Sequence, residues 1–319
     1  NGLQLFVGLI ILYAAVFIAN PGIVAPAINT ALPEGTPSMV PLLFVTIACG
    51  AISGFHGIVA SGTSAKQLDK ESDARFVGYF GAVGEGLLAL GAIIATTAGF
   101  KTLADWEAVY SAFAKGGVKA FVDGGGSILN QGLGIPVSLS ATILATMAVL
   151  FAATTMDTGI RLQRFVVQEA AELMGVKVGK SAATIAVLIV GLGLAFGAGA
   201  DGSGGMVIWP LFGTTNQLLA GLTLSIIAVI LIRKRRTVIP ILIPLVFVMV
   251  MSVFAAVVQL GTFYATQNWL LLGLDIIILV SALWVILEAA IAMNKARSGP
   301  EESDDEDRVA AREDESAMS

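Results

Sequence analysis

Residues 47–67 read IACGAISGFHGIVASGTSAKQ and contain the only cysteine, Cys49, and the only histidine, His56. The stretch begins as an apolar membrane helix, then fills with Gly, Ser and Thr and closes in a hydroxyl-rich turn with Lys66. A hydrophobic segment interrupted in this way makes a poor lipid-facing helix. Backbone groups loosened at the interruption find no water in hydrocarbon and need protein partners. It makes a good wall for a polar pathway. The rest of the chain is expected to supply the bundle that encloses it.

Composition supports that reading. A mean hydropathy of +0.86, with 56% hydrophobic and 13% charged residues, excludes an ordinary soluble domain. Apolar runs of membrane-spanning length recur along the 319 residues, and 36 glycines suit close helix packing. The net charge of -5 reflects in large part an acidic tail. The first run, 3–19, lacks a basic leader and is followed by NPG, so it is read as a span rather than a cleaved signal. With no initiator Met ahead of it, further sequence upstream is expected.

Eight spans are expected, near 3–19, 40–60, 76–98, 137–156, 182–199, 206–232, 238–260 and 269–292. Basic residues alternate across them. Lys66, Lys70 and Arg75 follow span two; Arg161, Arg164, Lys177 and Lys180 follow span four; Arg233, Lys234, Arg235 and Arg236 follow span six; Lys295 and Arg297 follow span eight. The opposite loops hold only Lys101, Lys115 and Lys119. This bias places both ends in the cytoplasm. The fold class is therefore all-α, a polytopic transmembrane helix bundle over 1–297, followed by a disordered acidic cytoplasmic tail over 298–319.

The Pro-rich loop 20–39 is expected outside and partly extended. In the longer external segment 99–136, Leu103, Trp106, Tyr110 and Phe113 share one helical face, as in an interfacial helix or lid, or a helix packed on the bundle top. The run DGGGS at 123–127 follows no strand, so it is read as a flexible turn or hinge rather than a phosphate loop.

Charges inside spans point to function by default. Glu85 lies about 14 Å into span three at roughly 1.5 Å per residue, near mid-membrane. It sits among small residues in GYFGAVGEGLLALG, and is either a reversible proton carrier or a hydrogen-bonded structural glutamate. His56 either contacts substrate or ties two helices together. Thr154, Thr155 and Asp157 crowd the inner end of span four, as an ion site or gate, or as a helix end in which Asp157 pairs with Arg161. In span six, Trp209-Pro210 is expected to interrupt the helix, and Thr214, Thr215, Asn216 and Gln217 follow on all faces. They either bind a polar substrate or hydrogen-bond between helices. Asp275, about 9 Å into span eight, and Glu288 near its end are placed within reach of an interface. No metal cluster, nucleophile elbow or phosphate-loop lysine is present, so neither an enzyme nor a resident cofactor is expected.

Three motifs together, ACGAISGFHGIVASGTSAKQ at 48–67, FAATTMDTGIRLQRFVVQE at 151–169 and MVIWPLFGTTNQLLAGL at 206–222, resemble the carbon starvation protein A (CstA) family of membrane transporters. GYFGAVGE at 78–85 fits the same pattern. The resemblance covers about 1–225 and implies import of a short peptide or pyruvate through the inner or plasma membrane, coupled to protons, with sodium also open. It implies a fold like the amino acid–polyamine–organocation transporters, with inverted repeats. It also implies an N-terminal membrane portion with a double-histidine motif, absent here, so the chain is expected to be a C-terminal fragment or one half of a split transporter. The expected partners are the small-molecule substrate, the lipid bilayer and that missing half, and no nucleic acid. A membrane nutrient sensor or scaffold signalling to a cytoplasmic partner is the alternative.

Overall fold

A computed structural model describes residues 2–298 apart from 31, 33–35, 37, 112–115, 198, 201 and 203. The expected tail, Phe113 and part of the 20–39 loop therefore lie outside the described residues, as do the side chains of Thr46, Ala48, Cys49 and Met206. The described residues are helical throughout their regular structure. Among the described residues six helices are long and apolar enough to cross a membrane: α1 (Gly2–Ala19), α4 (Asp73–Ala98), α7 (Val137–Leu173), α9 (Gly204–Arg233), α10 (Ile239–Ala265) and α11 (Trp269–Ser298). The shorter apolar helix α8 (Lys180–Phe196) falls on the fifth expected span. The second expected span is two short helices, α2 (Phe44–Ala51) and α3 (Gly54–Val59), continued by a wide turn over Ala60–Ser64. The remaining helices are α5 (Leu103–Val109) and α6 (Gly117–Leu133).

Contacts divide the chain into two compact units. Among the described residues, one comprises those within 2–36 and 67–187, the other those within 38–66 and 188–298. The interrupted stretch thus leaves its sequence neighbours and folds with the C-terminal helices.

In the first unit α6 packs against α1, α4 and α7. Its core joins Leu12 and Ala15 of α1 to Ile128 and Leu129 of α6. Residues 123–127, expected as a turn, lie inside α6, with Gly124, Gly125 and Gly126 buried. A Cβ at Gly124 would strike the Ala95 carbonyl of α4, and one at Gly125 would sit 2.7 Å from the Leu144 side chain of α7. In an apolar bundle these glycines bring helices together instead of loosening the chain. The helix ends at Gly134, whose φ of 68° places it in the left-handed conformation that glycine adopts without strain.

α5 begins at a capping box in which Thr102 and Asp105 satisfy each other's neighbouring N–H groups. It is fastened to the end of α4 by the Trp106 indole, which donates to the Thr96 carbonyl at 3.1 Å. In the second unit α9, α10 and α11 pack mutually, and α2 and α3 lie on α9. Two apolar clusters hold this bundle. Leu211, Phe263 and Leu271 form one, and Leu218, Leu245, Met249 and Ala282 the other.

Candidate substrate and ion site

The interruption falls at Ile52 and Ser53, where Ser53 is extended at φ -95°, ψ 123°. The first N–H groups of α3 therefore have no partner in a preceding turn. The Phe55 N–H donates instead to Asn216 Oδ1 of α9 at 2.8 Å, and the Ser53 hydroxyl donates to the same oxygen at 3.3 Å. Asn216 is 3% exposed. It does from another helix what an N-cap side chain does locally, which lets the chain break inside an apolar layer.

The close approach that makes this possible comes from glycine. A Cβ at Gly54 would collide with the Asn216 carbonyl, the Ala220 nitrogen and the Leu219 Cβ, and one at Gly57 would strike Thr223. Gly50 has open space around it. Gly54 and Gly57 thus set the α3–α9 distance, whereas Gly50 does not.

Pro210, expected to interrupt span six, sits within a continuous α9. The Gln259 side chain of α10 braces this turn. Its Nε2 donates to the Pro210 carbonyl at 2.6 Å, and its Oε1 accepts the Thr214 hydroxyl at 3.0 Å. The carbonyl that the proline leaves without its helical N–H is that of residue 206, so the Gln259 bond braces the turn instead of replacing the lost one. Thr215 turns back to the Leu211 carbonyl of its own helix at 2.8 Å.

Gln217 is 1% exposed, and neither its Oε1 nor its Nε2 has a hydrogen-bond partner among the described residues. Asp275 is also fully buried, and neither carboxylate oxygen has a partner among the described residues. Reading from sequence placed Asp275 within reach of an interface. Which face Asp275 occupies is set by the packing of α11 against α9 and α10.

The other expected site residues lie apart from this layer. His56 is exposed on α3, against the Phe55 ring edge. Glu85 belongs to the first unit and is exposed on α4, where Gly78, Gly81, Gly84 and Gly86 have nothing within 4 Å of a built Cβ. The expected close packing around Glu85 is therefore absent among the described residues, because α4 buries only its C-terminal part, at Gly91, Ala95 and Ala98.

Thr154, Thr155 and Asp157 are exposed on α7, which continues past the expected span end to Leu173. Both hydroxyls donate to the Phe151 carbonyl, and Asp157 pairs with Arg161 at 2.9 Å, as the helical spacing predicts. Thr154 also lines a cavity of about 210 Å³ with Leu150, Met147 and the start of α1.

The family model described as carbon starvation protein CstA matches residues 1–103 and 100–255. A peptide transporter CstA of Helicobacter pylori is 31% identical over 281 residues, covering 71% of this chain and 40% of the relative. A peptide transporter CstA of Bacillus subtilis is 31% identical over 328 residues, covering 88% of this chain and 54% of the relative. A pyruvate/proton symporter BtsT of Escherichia coli is 28% identical over 308 residues, covering 72% and 43%. The chain thus spans about 40 to 54% of the length of these relatives. No solved structure matches.

Proposed function

Because the chain belongs to the carbon starvation protein CstA family, we propose that this integral membrane protein supplies part of a secondary carrier that imports a short peptide or pyruvate by proton-coupled alternating access. The observation that carries this reading is the helix broken at Ser53 and capped from α9 by Asn216. A break inside an apolar layer needs such a capping partner, and carriers bind their substrates beside discontinuous helices.

In this reading Asn216 and Thr214 fix the helices of the second unit, and the exposed His56 and the flank of α9 at Thr215 meet the substrate. Glu85, accessible on α4, is the entry acceptor for the coupling proton. Thr154, Thr155 and Asp157 form a gating point on α7. The membrane is the plasma (inner) membrane, with the C-terminus on the cytoplasmic side, as the distribution of Lys and Arg favours. The names of the relatives support peptide and pyruvate as the substrates to try.

The experiment is uptake of labelled pyruvate and of a labelled dipeptide into proteoliposomes containing the complete protein, under an inward pH gradient or an inward sodium gradient. Accumulation above equilibrium under the pH gradient supports the carrier. Saturable binding without flux, in folded protein, contradicts it and favours a sensor.

A further inference from the structure

The second unit buries a carboxylate that the proposed substrate contacts do not use. Leu211 and Leu271 meet in one apolar cluster, and Leu218 and Ala282 belong to the next. Thr214 and Gln217 lie between the two clusters on α9. Asp275 lies between them on α11, one turn after Leu271 and two turns before Ala282, on the same helical face. Gln259 enters the layer from α10 by its bond to Thr214. The three helices thus enclose one polar layer between two apolar ones, and in it Asp275 and Gln217 are the groups with unsatisfied polar atoms.

We propose that Asp275 is an internal proton-binding residue of the transport cycle, held in this conformation as the neutral acid in the layer shared with Gln217. The inference rests on the carrier reading above. Three observations carry it.

The first is burial without compensation: an ionised carboxylate shut away from water needs a positive or donating partner, and Asp275 has none among the described residues. Other ionisable groups on the packed elements are remote from the layer or turned out of it. Arg233 ends α9, and Glu288, Lys295 and Arg297 lie in the later turns of α11, the first of them about 20 Å along the helix. Tyr264 of α10 is exposed against the Trp269 ring edge, and His56 of α3 is exposed.

The second is complementarity. A carboxylate offers acceptors alone, whereas a carboxylic acid offers a donor and an acceptor, the kind of pair that an amide such as Gln217 can meet, although the two side chains make no hydrogen bond to each other in this structure. The third is the shortage of ligands for a metal cation, which would gather several oxygens. Among the described residues no group of three or more His, Cys, Asp or Glu comes together, so Asp275 has no second charged ligand beside it. A proton needs one oxygen and one acceptor.

The cycle is balanced by the proton alone. Asp275 binds it from one side of the membrane as an O–H bond forms, and that bond breaks to release it to water on the other side when the layer opens. Asp275→Asn keeps the shape and the donor–acceptor pair of the neutral acid but cannot release a proton. In proteoliposomes of the complete protein, one coupled proton gives about tenfold accumulation per unit of pH gradient. The Asn variant is expected to bring that ratio to about onefold while retaining exchange of labelled for unlabelled substrate.

Accumulation at the wild-type ratio in the variant overturns the proposal. So does loss of both accumulation and exchange, which would assign Asp275 to substrate binding or to structure. If the wild type moves neither substrate, the carrier reading fails separately, and infrared spectroscopy then judges Asp275 alone. A protonated-carboxyl C=O stretch present in wild type and missing in the Asn variant supports the proposal; its absence from wild type overturns it.

Discussion

Asn216 Oδ1 accepts the backbone N–H of Phe55, 161 residues earlier in the chain, at 2.8 Å. This one bond joins the two motifs, 48–67 and 206–222, at the break between α2 and α3. Replacing Asn216 by Leu leaves the part-buried Phe55 N–H unpaired, which costs about 1–3 kcal/mol. The thermal unfolding midpoint in detergent should fall accordingly, and hydrogen exchange should rise at Phe55 and Gly54 ahead of the rest of α3. Unchanged exchange at Phe55 would show that another group caps the break.

Gly54 and Gly50 should part company. Alanine at Gly54 meets backbone atoms of α9, which cannot move aside, so a loss of about 1–3 kcal/mol is expected. Alanine at Gly50 meets nothing and replaces a helical glycine, so stability should hold or rise by about 0.5–1 kcal/mol. Equal effects at both positions would contradict the close approach of α3 to α9.

Gln259 holds two helices at a proline. Substitution by Leu leaves the Thr214 hydroxyl and the Pro210 carbonyl without their partner, at a cost of about 1–3 kcal/mol. Substitution of Thr214 by Val in the same background should then cost little more, because the two share one bond. Additive losses would mean that Gln259 acts elsewhere.

Asp157 tests function against structure. Its pair with Arg161 is solvent-exposed, so Asp157→Asn should change stability by less than about 1 kcal/mol. A large loss of uptake at unchanged stability is the outcome expected of a gating point. Unchanged uptake would leave Asp157 a surface helix pair.

Much of this architecture is legible in the residues. Apolar runs and alternating Lys and Arg mark the spans, because hydrocarbon thickness fixes a helix length whatever the tertiary fold. The helix interruption within 47–67 is legible because Ser and Gly crowd an otherwise apolar run, although the partner that caps it is not. Nothing in the local sequence couples Phe55 to Asn216.

The DGGGS run misleads because glycine loosens a chain in water but tightens helix packing in an apolar bundle. The enclosure of Asp275 is hidden from the sequence for a related reason. Counting residues gives its depth, while its enclosure depends on α9 and α10, whose positions only the folded chain reveals. Glu85 shows the converse, since mid-span depth does not place it in a packed layer.

The most direct measurement loads proteoliposomes of the complete protein with a pH-sensitive dye and follows labelled substrate and internal pH together. Substrate is supplied outside, with and without an inward pH gradient. The account predicts that peptide or pyruvate accumulates only under the gradient and that its entry acidifies the interior in step. Accumulation with no acidification, or binding that never becomes accumulation, would contradict it.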